Sequence, residues 1–558
     1  MKELIADLLS KYIKLNKNEI LNLIEIPPDT RLGDYAFPCF RLAPILKRNP
    51  KEIAEELAEK ISLSLPREIE KVEAFNGYLN FLINLRFLVK DTILSLEKKE
   101  KKSKKKIALV ESPSPNTNKP LHLGHLRNMA IGESISRILE SQNFNVKRLN
   151  LNNDRGVHIT KSMLAYSKWG KGKSPKEKTD KFVGDFYILY SKELKNHPEL
   201  EQENQELLRK WEAGDKETLA LWKKMNDWAY KGFAETYKKF GMKFDKEYYE
   251  SQTYKKAKEI VSEGLKKGIF HKKQDGAVFI DLSKYGLGEK VVLRADGTSV
   301  YVTQDLYLAK LKYTQYKFDK SIYVVACEQD YHFKVLFKIL ELLKLPFAKN
   351  ALHLSYGMVN LPEGRMKSRE GKVVDADNLI DEMQTLALKE LNKRAKLSKK
   401  EIQDRSLKIA LASIKYFLLK IEISKDMVFN PQEAIAFEGN SGPYLQYSYA
   451  RASSILRKTK KKGKFNVGGI LEFDKQEISL IKKLGQFSEV LESSYKNLNP
   501  ALLANYSFEL AQLFNEFYHS SQVINSDKEE FRLFLVEKFR EIIKKSLYLL
   551  GIEVLEEM

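Results

Sequence analysis

The hydrophobic pattern is clearest from Ile107 onward. Ile107, Ala108, Leu109 and Val110 form a short apolar run bounded by turn formers, which predicts a buried strand. A proline-containing loop follows. From about Gly124 to Glu140, apolar residues stand at Leu126, Met129, Ile131, Ile135, Ile138 and Leu139, the spacing of one face of a helix. Phe144 to Leu151 alternates apolar and polar residues and predicts the next strand. A strand, loop, helix and strand in this order imply a parallel, doubly wound α/β sheet.

Upstream, residues 1–105 read as a separate α+β domain. Leu4, Ile5, Leu8, Leu9 and Tyr12 have helical spacing, Glu52–Ile61 is a second helix, and Phe75–Phe81 is a strand entered through a turn. Gly33-Asp34-Tyr35, within Arg31–Pro38, is either turn chemistry or a contact site. Lys98–Lys106 is almost all lysine, the composition of a solvated linker. Residues 106–375 carry the α/β pattern, broken over about 166–288 by a basic loop and long amphipathic helices. Trp211, Leu219, Trp222, Trp228 and Tyr230 on those helices are assigned to packing, and most of the block reads as an insertion. The α/β pattern resumes near Val291. Tyr301 and Asp305 share one face if their stretch is helical. Ser321–Cys327 is a strand with Gln329 just past its end, where ligands of open α/β sheets bind. Residues 376–558 are helix-rich, with an interruption at Gly439–Tyr447.

Composition and length sharpen this picture in four ways. The 558 residues suit three or four domains. With 96 Lys+Arg against 75 Asp+Glu, the formal net charge of +21 suits an anionic partner such as nucleic acid, or simply a lysine-rich soluble protein. Two cysteines, Cys39 and Cys327, make neither a disulfide framework nor a four-ligand zinc site. No apolar run approaches ~20 residues and no secretory h-region opens the chain, so no membrane association and a cytoplasmic location are expected.

The densest chemistry lies in Ser114-Pro115-Asn116-Thr117-Asn118-Lys119-Pro120-Leu121-His122-Leu123-Gly124-His125. A helix start favours an anion through its free N–H groups and dipole. Imidazole donors at His122 and His125 suit phosphate oxygens, and Gly124 leaves room for a flat ring against the backbone. A second cluster, Arg365-Met366-Lys367-Ser368-Arg369, places three cations in a glycine-flanked loop suited to a polyphosphate. A third, Gly442-Pro443-Tyr444-Leu445-Gln446-Tyr447 with Arg451, offers stacking and phosphate contacts to RNA.

These three segments, in this order, resemble the arginyl-tRNA synthetases, a family of class I aminoacyl-tRNA synthetases. The resemblance implies a Rossmann-type catalytic core with a parallel sheet, an N-terminal α+β tRNA-binding domain and a C-terminal all-α anticodon-binding domain. It implies activation of L-arginine by ATP with Mg2+, without zinc, and transfer to the terminal adenosine of tRNA(Arg) by a cytoplasmic monomer. His122 and His125 then stabilise phosphates, and Gly124, Met358, Val359, Arg365, Met366, Lys367 and Ser368 complete the ATP site. Glu111, Asn116, Tyr301, Asp305 and Gln329 hold arginine, whose planar cation calls for carboxylates. Tyr444, Gln446, Tyr447 and Arg451 are the expected tRNA contacts. Ser368 stands where the KMSKS loop usually carries its catalytic lysine. Lys119, three residues before His122, is expected to compensate, and which of Lys119, Lys367 and Arg369 touches pyrophosphate stays open.

Competing readings are a cysteinyl or glutamyl enzyme, a small-molecule adenylyltransferase with a similar histidine motif, and an inactive RNA-binding relative. The acidic pocket candidates and low cysteine content oppose the first. The long insertion and basic helical tail oppose the second, and the intact histidines oppose the third.

Overall fold

The computed structural model describes residues 1–27, 32–97, 105–360, 362, 374–394, 398–464 and 472–558. It divides into two compact units, one made of residues 1–101, 461–487 and 513–538, the other of 102–460, 488–512 and 539–558. Segments from the C-terminal helical region therefore belong to both units.

In the first unit a three-stranded antiparallel sheet places Tyr78–Ile83 between Tyr35–Pro38 and Ile69–Phe75. The stretch Phe75–Phe81, expected to be one strand, is the tip of a hairpin. Asn76 and Gly77, at φ 48° and 80°, make the turn between two strands. Helices Lys2–Leu9 and Pro50–Ser62 bury Ile5, Leu9, Ile53 and Leu57 with Phe37, Leu79 and Phe81. The short helix Lys17–Leu23, capped by Asn16, is an element the periodicity did not predict. Within Gly33-Asp34-Tyr35, Gly33 and Asp34 make contacts that support the fold. Gly33 sits at φ 140°, where a Cβ would meet the Phe81 carbonyl oxygen at 2.9 Å. Asp34 accepts the Ile83 N–H at 2.8 Å and pairs with Lys482 at 2.6 Å.

The second unit is built on a five-stranded, wholly parallel sheet. Its spatial order is Ala351–Tyr356, Lys320–Ala326, Lys106–Glu111, Phe144–Asn152, Lys246–Tyr249. Chain order thus reverses between Lys106–Glu111 and Lys320–Ala326, the topological switch point where such sheets open a crevice at their carboxyl ends. Lys246–Tyr249, inside the stretch read as an insertion, is the outer strand of this sheet. Helices Val157–Ala165, Thr179–Glu193, Leu200–Ala213 and Lys216–Phe240 precede it. Trp211 is buried among them, and the Trp222 indole donates to the Asp154 carbonyl at 2.6 Å.

The helix after the first sheet strand runs from Leu123 to Ser141 and is buried on all sides, not on one face. It crosses the sheet on one side and meets helices Ala376–Arg394 and Lys399–Leu419 on the other. Several of its polar groups are paired within the protein: Glu133 pairs with Arg137 at 2.6 Å and with Arg148 at 2.8 Å. Gly439–Tyr447 does not interrupt the helices throughout, because Gly442 already opens the helix Gly442–Arg457, capped by Ser441. No described helix is long and apolar enough to cross a membrane.

Candidate active site

Four strands of the parallel sheet deliver polar residues to its carboxyl edge. Glu111 ends Lys106–Glu111, Asn153 follows Phe144–Asn152, Glu250 follows Lys246–Tyr249, and Gln329 closes the turn after Lys320–Ala326. All four line one cavity of about 450 Å³, together with Asn116, His158, Tyr301, Gln304, Asp305 and His332. The five residues expected to hold arginine, Glu111, Asn116, Tyr301, Asp305 and Gln329, are thus brought together from positions more than 200 residues apart.

Tyr301 opens the helix Tyr301–Tyr316, so Asp305 lies one turn further along the same face. Asp305 Oδ2 meets His332 Nε2 at 2.7 Å. Burial alone would lower the His332 pKa, but the bond and the charge of Asp305 prevail and raise it. Glu111 is paired with Lys312, a fully buried lysine. Burial opposes the Lys312 charge, yet the Glu111 carboxylate raises its pKa above the usual value. Neither Lys312 nor His332 was identified from sequence.

The loop leading to the helix start is fixed by sheet-like bonds. Thr117 N–H donates to the Asn153 carbonyl at 3.2 Å and Asn153 N–H to the Pro115 carbonyl at 3.0 Å. At the helix start His122 is the N-cap. Its Nδ1 accepts the Gly124 N–H at 3.1 Å, and His125 Nδ1 accepts the His122 N–H at 3.1 Å. The two imidazoles therefore form a capping box, with ring centroids 4.0 Å apart. The flat ring beside Gly124 is that of His122, which a Cβ would meet at 3.0 Å. Burial, then the charge of Lys119, depresses the His122 pKa to about 4. Burial, His122 and Lys119 hold His125 well below the usual histidine value. Both rings are neutral near pH 7, and with Nδ1 accepting, each carries its hydrogen on Nε2.

Leu123 N–H donates to the Val374 carbonyl, and Ala376 N–H to that of Leu121, both at 3.0 Å. The segment after residue 373 is thus tied to the histidine signature. Arg365, Met366, Lys367, Ser368 and Arg369 lie outside the described residues.

Arg127, one turn past the signature, is fully buried and donates to four carbonyls: Gly357 at 2.6 Å, Lys425 at 2.9 Å, and Met358 and Ile423 at 3.2 Å. Met358 N–H donates to Asp426 Oδ1 at 2.6 Å, and Val359 pairs with Met427. The N–H of Met358, a residue expected at the ATP site, is thus taken by Asp426. Its half-buried side chain is what remains for a ligand.

In the helix Gly442–Arg457, the Arg451 guanidinium lies 4.8 Å from the Tyr447 ring centroid and donates to its hydroxyl at 3.2 Å. Tyr444 packs its ring 5.7 Å from Phe508. Gln446 corrects the expectation of an RNA contact. It is fully buried and its amide donates to the Glu553 carbonyl at 2.7 Å, because its side chain points into the helix packing.

A parallel sheet with its crevice at the switch point, and a helix start bearing two neutral histidine donors, fit the catalytic core of a class I tRNA synthetase. The model of the class I (R) catalytic domain matches residues 88–431, that of the DALR anticodon-binding domain matches 445–558, and that of the arginyl-tRNA synthetase N-terminal domain matches 1–83. The chain belongs to the arginine–tRNA ligase family. It is 42% identical to the arginine–tRNA ligase of Parabacteroides distasonis, over 94% of this chain and 92% of that one. It is also 42% identical to that of Borrelia hermsii, over 100% and 99%. The arginyl-tRNA synthetase of Thermus thermophilus superimposes with a TM-score of 0.84 at 26% identity, covering 100% of this chain and 99% of that one.

Proposed function

We propose that this chain activates L-arginine with Mg–ATP and passes it to the 3′-terminal adenosine of tRNA(Arg), with the residues of the sheet crevice dividing the work. What carries this reading is the acidic cavity at the switch point, where Glu111, Asp305, Tyr301 and Gln329 meet beside the loop that leads to His122. A guanidinium is planar and permanently charged, so carboxylates accepting paired N–H bonds select it over a lysine ammonium. Asn116, on the same cavity wall, is suited to the α-amino and carboxylate end.

With arginine so held, its carboxylate attacks the α-phosphorus in line and pyrophosphate leaves; no covalent enzyme intermediate is required. Negative charge accumulates on the phosphate oxygens. The Nε2–H groups of His122 and His125 donate to them without carrying charge themselves. Lys119 adds a full positive charge near both rings, supplying what Ser368 does not, and Arg365, Lys367 and Arg369 supply further cations. The terminal adenosine 2′-hydroxyl then attacks the arginyl carbonyl of the adenylate, forming the ester as the anhydride bond breaks and AMP leaves. Tyr444, Tyr447 and Arg451 meet the tRNA. The Mg2+ accompanies ATP as part of the substrate, zinc has no part, and the chain works as a monomer in the cytoplasm.

ATP–pyrophosphate exchange with each amino acid in turn, with and without total tRNA, tests the reading. Arginine alone should support exchange, more strongly when tRNA is present. Exchange driven by another amino acid, with none by arginine, would overturn it.

A further inference from the structure

A largely buried ion cluster joins the insertion helices to the histidine signature. Lys178, in the stretch read as a basic loop, stands just before the helix Thr179–Glu193. Its Nζ donates to Thr236 Oγ1 at 2.7 Å, on the helix Lys216–Phe240, and pairs with Asp180 at 3.1 Å and with Asp377. The Thr236 hydroxyl in turn donates to Asp377 at 2.7 Å. Lys178 and Asp377 are each 15% exposed and Asp180 is fully buried, so solvent screens the cluster little. Burial opposes the Lys178 charge, but Asp180, Asp377 and Asp375 raise its pKa above the usual value. What Asp377 holds is the backbone beside His122. Asp375 Oδ1 accepts the N–H groups of Asp377 and Asn378, both at 3.0 Å, and the residues flanking Asp375 bond to Leu121 and Leu123. His122 thus lies between two backbone bonds to one short segment. Its loop is also braced directly by the insertion, since a Cβ on Gly184 would meet Pro120 Cδ at 2.5 Å.

We propose that Lys178 is a positioning residue for arginine activation: by holding Asp377 it fixes the His122 backbone, and with it the Nε2–H that donates to phosphate in the transition state. This rests on the reading of His122 as a phosphate-stabilising donor. An ammonium has three N–H bonds to give, and Asp180, Thr236 and Asp377 are three acceptors on three different elements. Lys178 therefore sets the distance between the insertion and the segment that clamps His122. The imidazole cannot adjust independently, because its Nδ1 is already committed to the Gly124 N–H. Without the ammonium, the Asp180 and Asp377 carboxylates repel each other and Asp377 is pushed away, taking the 374–376 backbone with it. Lys239 still pairs with Asp381 further along the helix Ala376–Arg394, which keeps that helix docked. The change is then a local displacement beside His122. The arginine cavity draws Tyr301, Asp305 and Gln329 from other elements, so the loss falls on the chemical step.

The test is single-turnover adenylate formation with tRNA(Arg) present, for wild type, Lys178→Met, His122→Asn and the double variant. Lys178→Met should slow adenylate formation about 10- to 100-fold, while the arginine KM from ATP–pyrophosphate exchange moves less than about threefold. In the His122→Asn background no Nε2 donor remains to be placed, and Lys178→Met should cost less than about twofold further. A role in stability alone would leave the two losses multiplicative. Thr236→Val removes one hydroxyl bond to Asp377 and leaves every charge paired. It should slow adenylate formation roughly threefold, with the same non-additivity. Adenylate formation at the wild-type rate in Lys178→Met, or in Thr236→Val should Lys178→Met not fold, overturns the proposal. So does a Lys178→Met loss that persists undiminished in His122→Asn. Wild-type adenylate formation in His122→Asn itself is the separate result that would remove the underlying reading of His122.

Discussion

His122 and His125 turn Nδ1 toward backbone N–H groups and keep Nε2–H free, so each ring has a structural edge and a donor edge. Substitutions can separate the two. His122→Ala removes the cap and the donor together, and should cost about 1 kcal/mol of stability as well as activity. His122→Asn keeps an oxygen that can accept the Gly124 N–H, so thermal unfolding should stay near wild type. Its shorter side chain cannot place a donor where Nε2 stands, and single-turnover adenylate formation should fall about 100- to 1000-fold. Adenylate formation at the wild-type rate in His122→Asn would remove His122 from the phosphate-stabilising set. The histidines were legible because motif, spacing and helix start coincide within a dozen residues. Glu250 was not. It is one acid among 75, and what brings it to the cavity is a long-range fact: the strand Lys246–Tyr249, which it follows, pairs with Phe144–Asn152.

Elements behave the same way. The strand at Ile107 and the following helix and strand stand where periodicity placed them, because each is long or apolar enough to carry its own signal. Lys246–Tyr249 has four residues, two of them charged, and only pairing with Phe144–Asn152 makes it a strand. The signature helix was read as one-sided since its buried polar residues, Arg127, Asn128, Glu133, Ser134 and Ser136, look like a solvent face in sequence. Arg127 shows what that hidden face does. It ties the helix to Gly357 and to Met358, a residue expected at the ATP site, by donating to their carbonyls. Arg127→Met should lower unfolding stability by on the order of 2–4 kcal/mol, as four carbonyls lose a charged donor. In the surviving folded protein, the ATP KM should rise more than the arginine KM. Equal changes in both would mean that Arg127 supports the fold and not the ATP side in particular.

At the scale of the whole molecule, one protein must attract a cation and a polyanion. The net charge of +21 favours the polyanion, and the sequence announced it openly in 96 basic residues. The acids proposed to favour arginine are few, but they are confined to one cavity, where solvent screens them least. The two attractions therefore differ in range. Charge spread over the surface acts through solvent and is screened beyond about 8 Å at physiological salt, whereas Glu111 and Asp305, as the proposed arginine ligands, would act at contact distance in a partly buried site. Salt should separate them. Displacing counterions from about three single-stranded phosphates makes a fourfold rise in salt cost roughly 20-fold in tRNA affinity, and more for a wider footprint. Filter binding of tRNA(Arg) between 50 and 200 mM salt should show at least that loss, with an arginine KM that moves less than about threefold. A salt-insensitive tRNA affinity would mean that the basic surface serves solubility alone, and that recognition of the tRNA rests on stacking and shape at residues such as Tyr447.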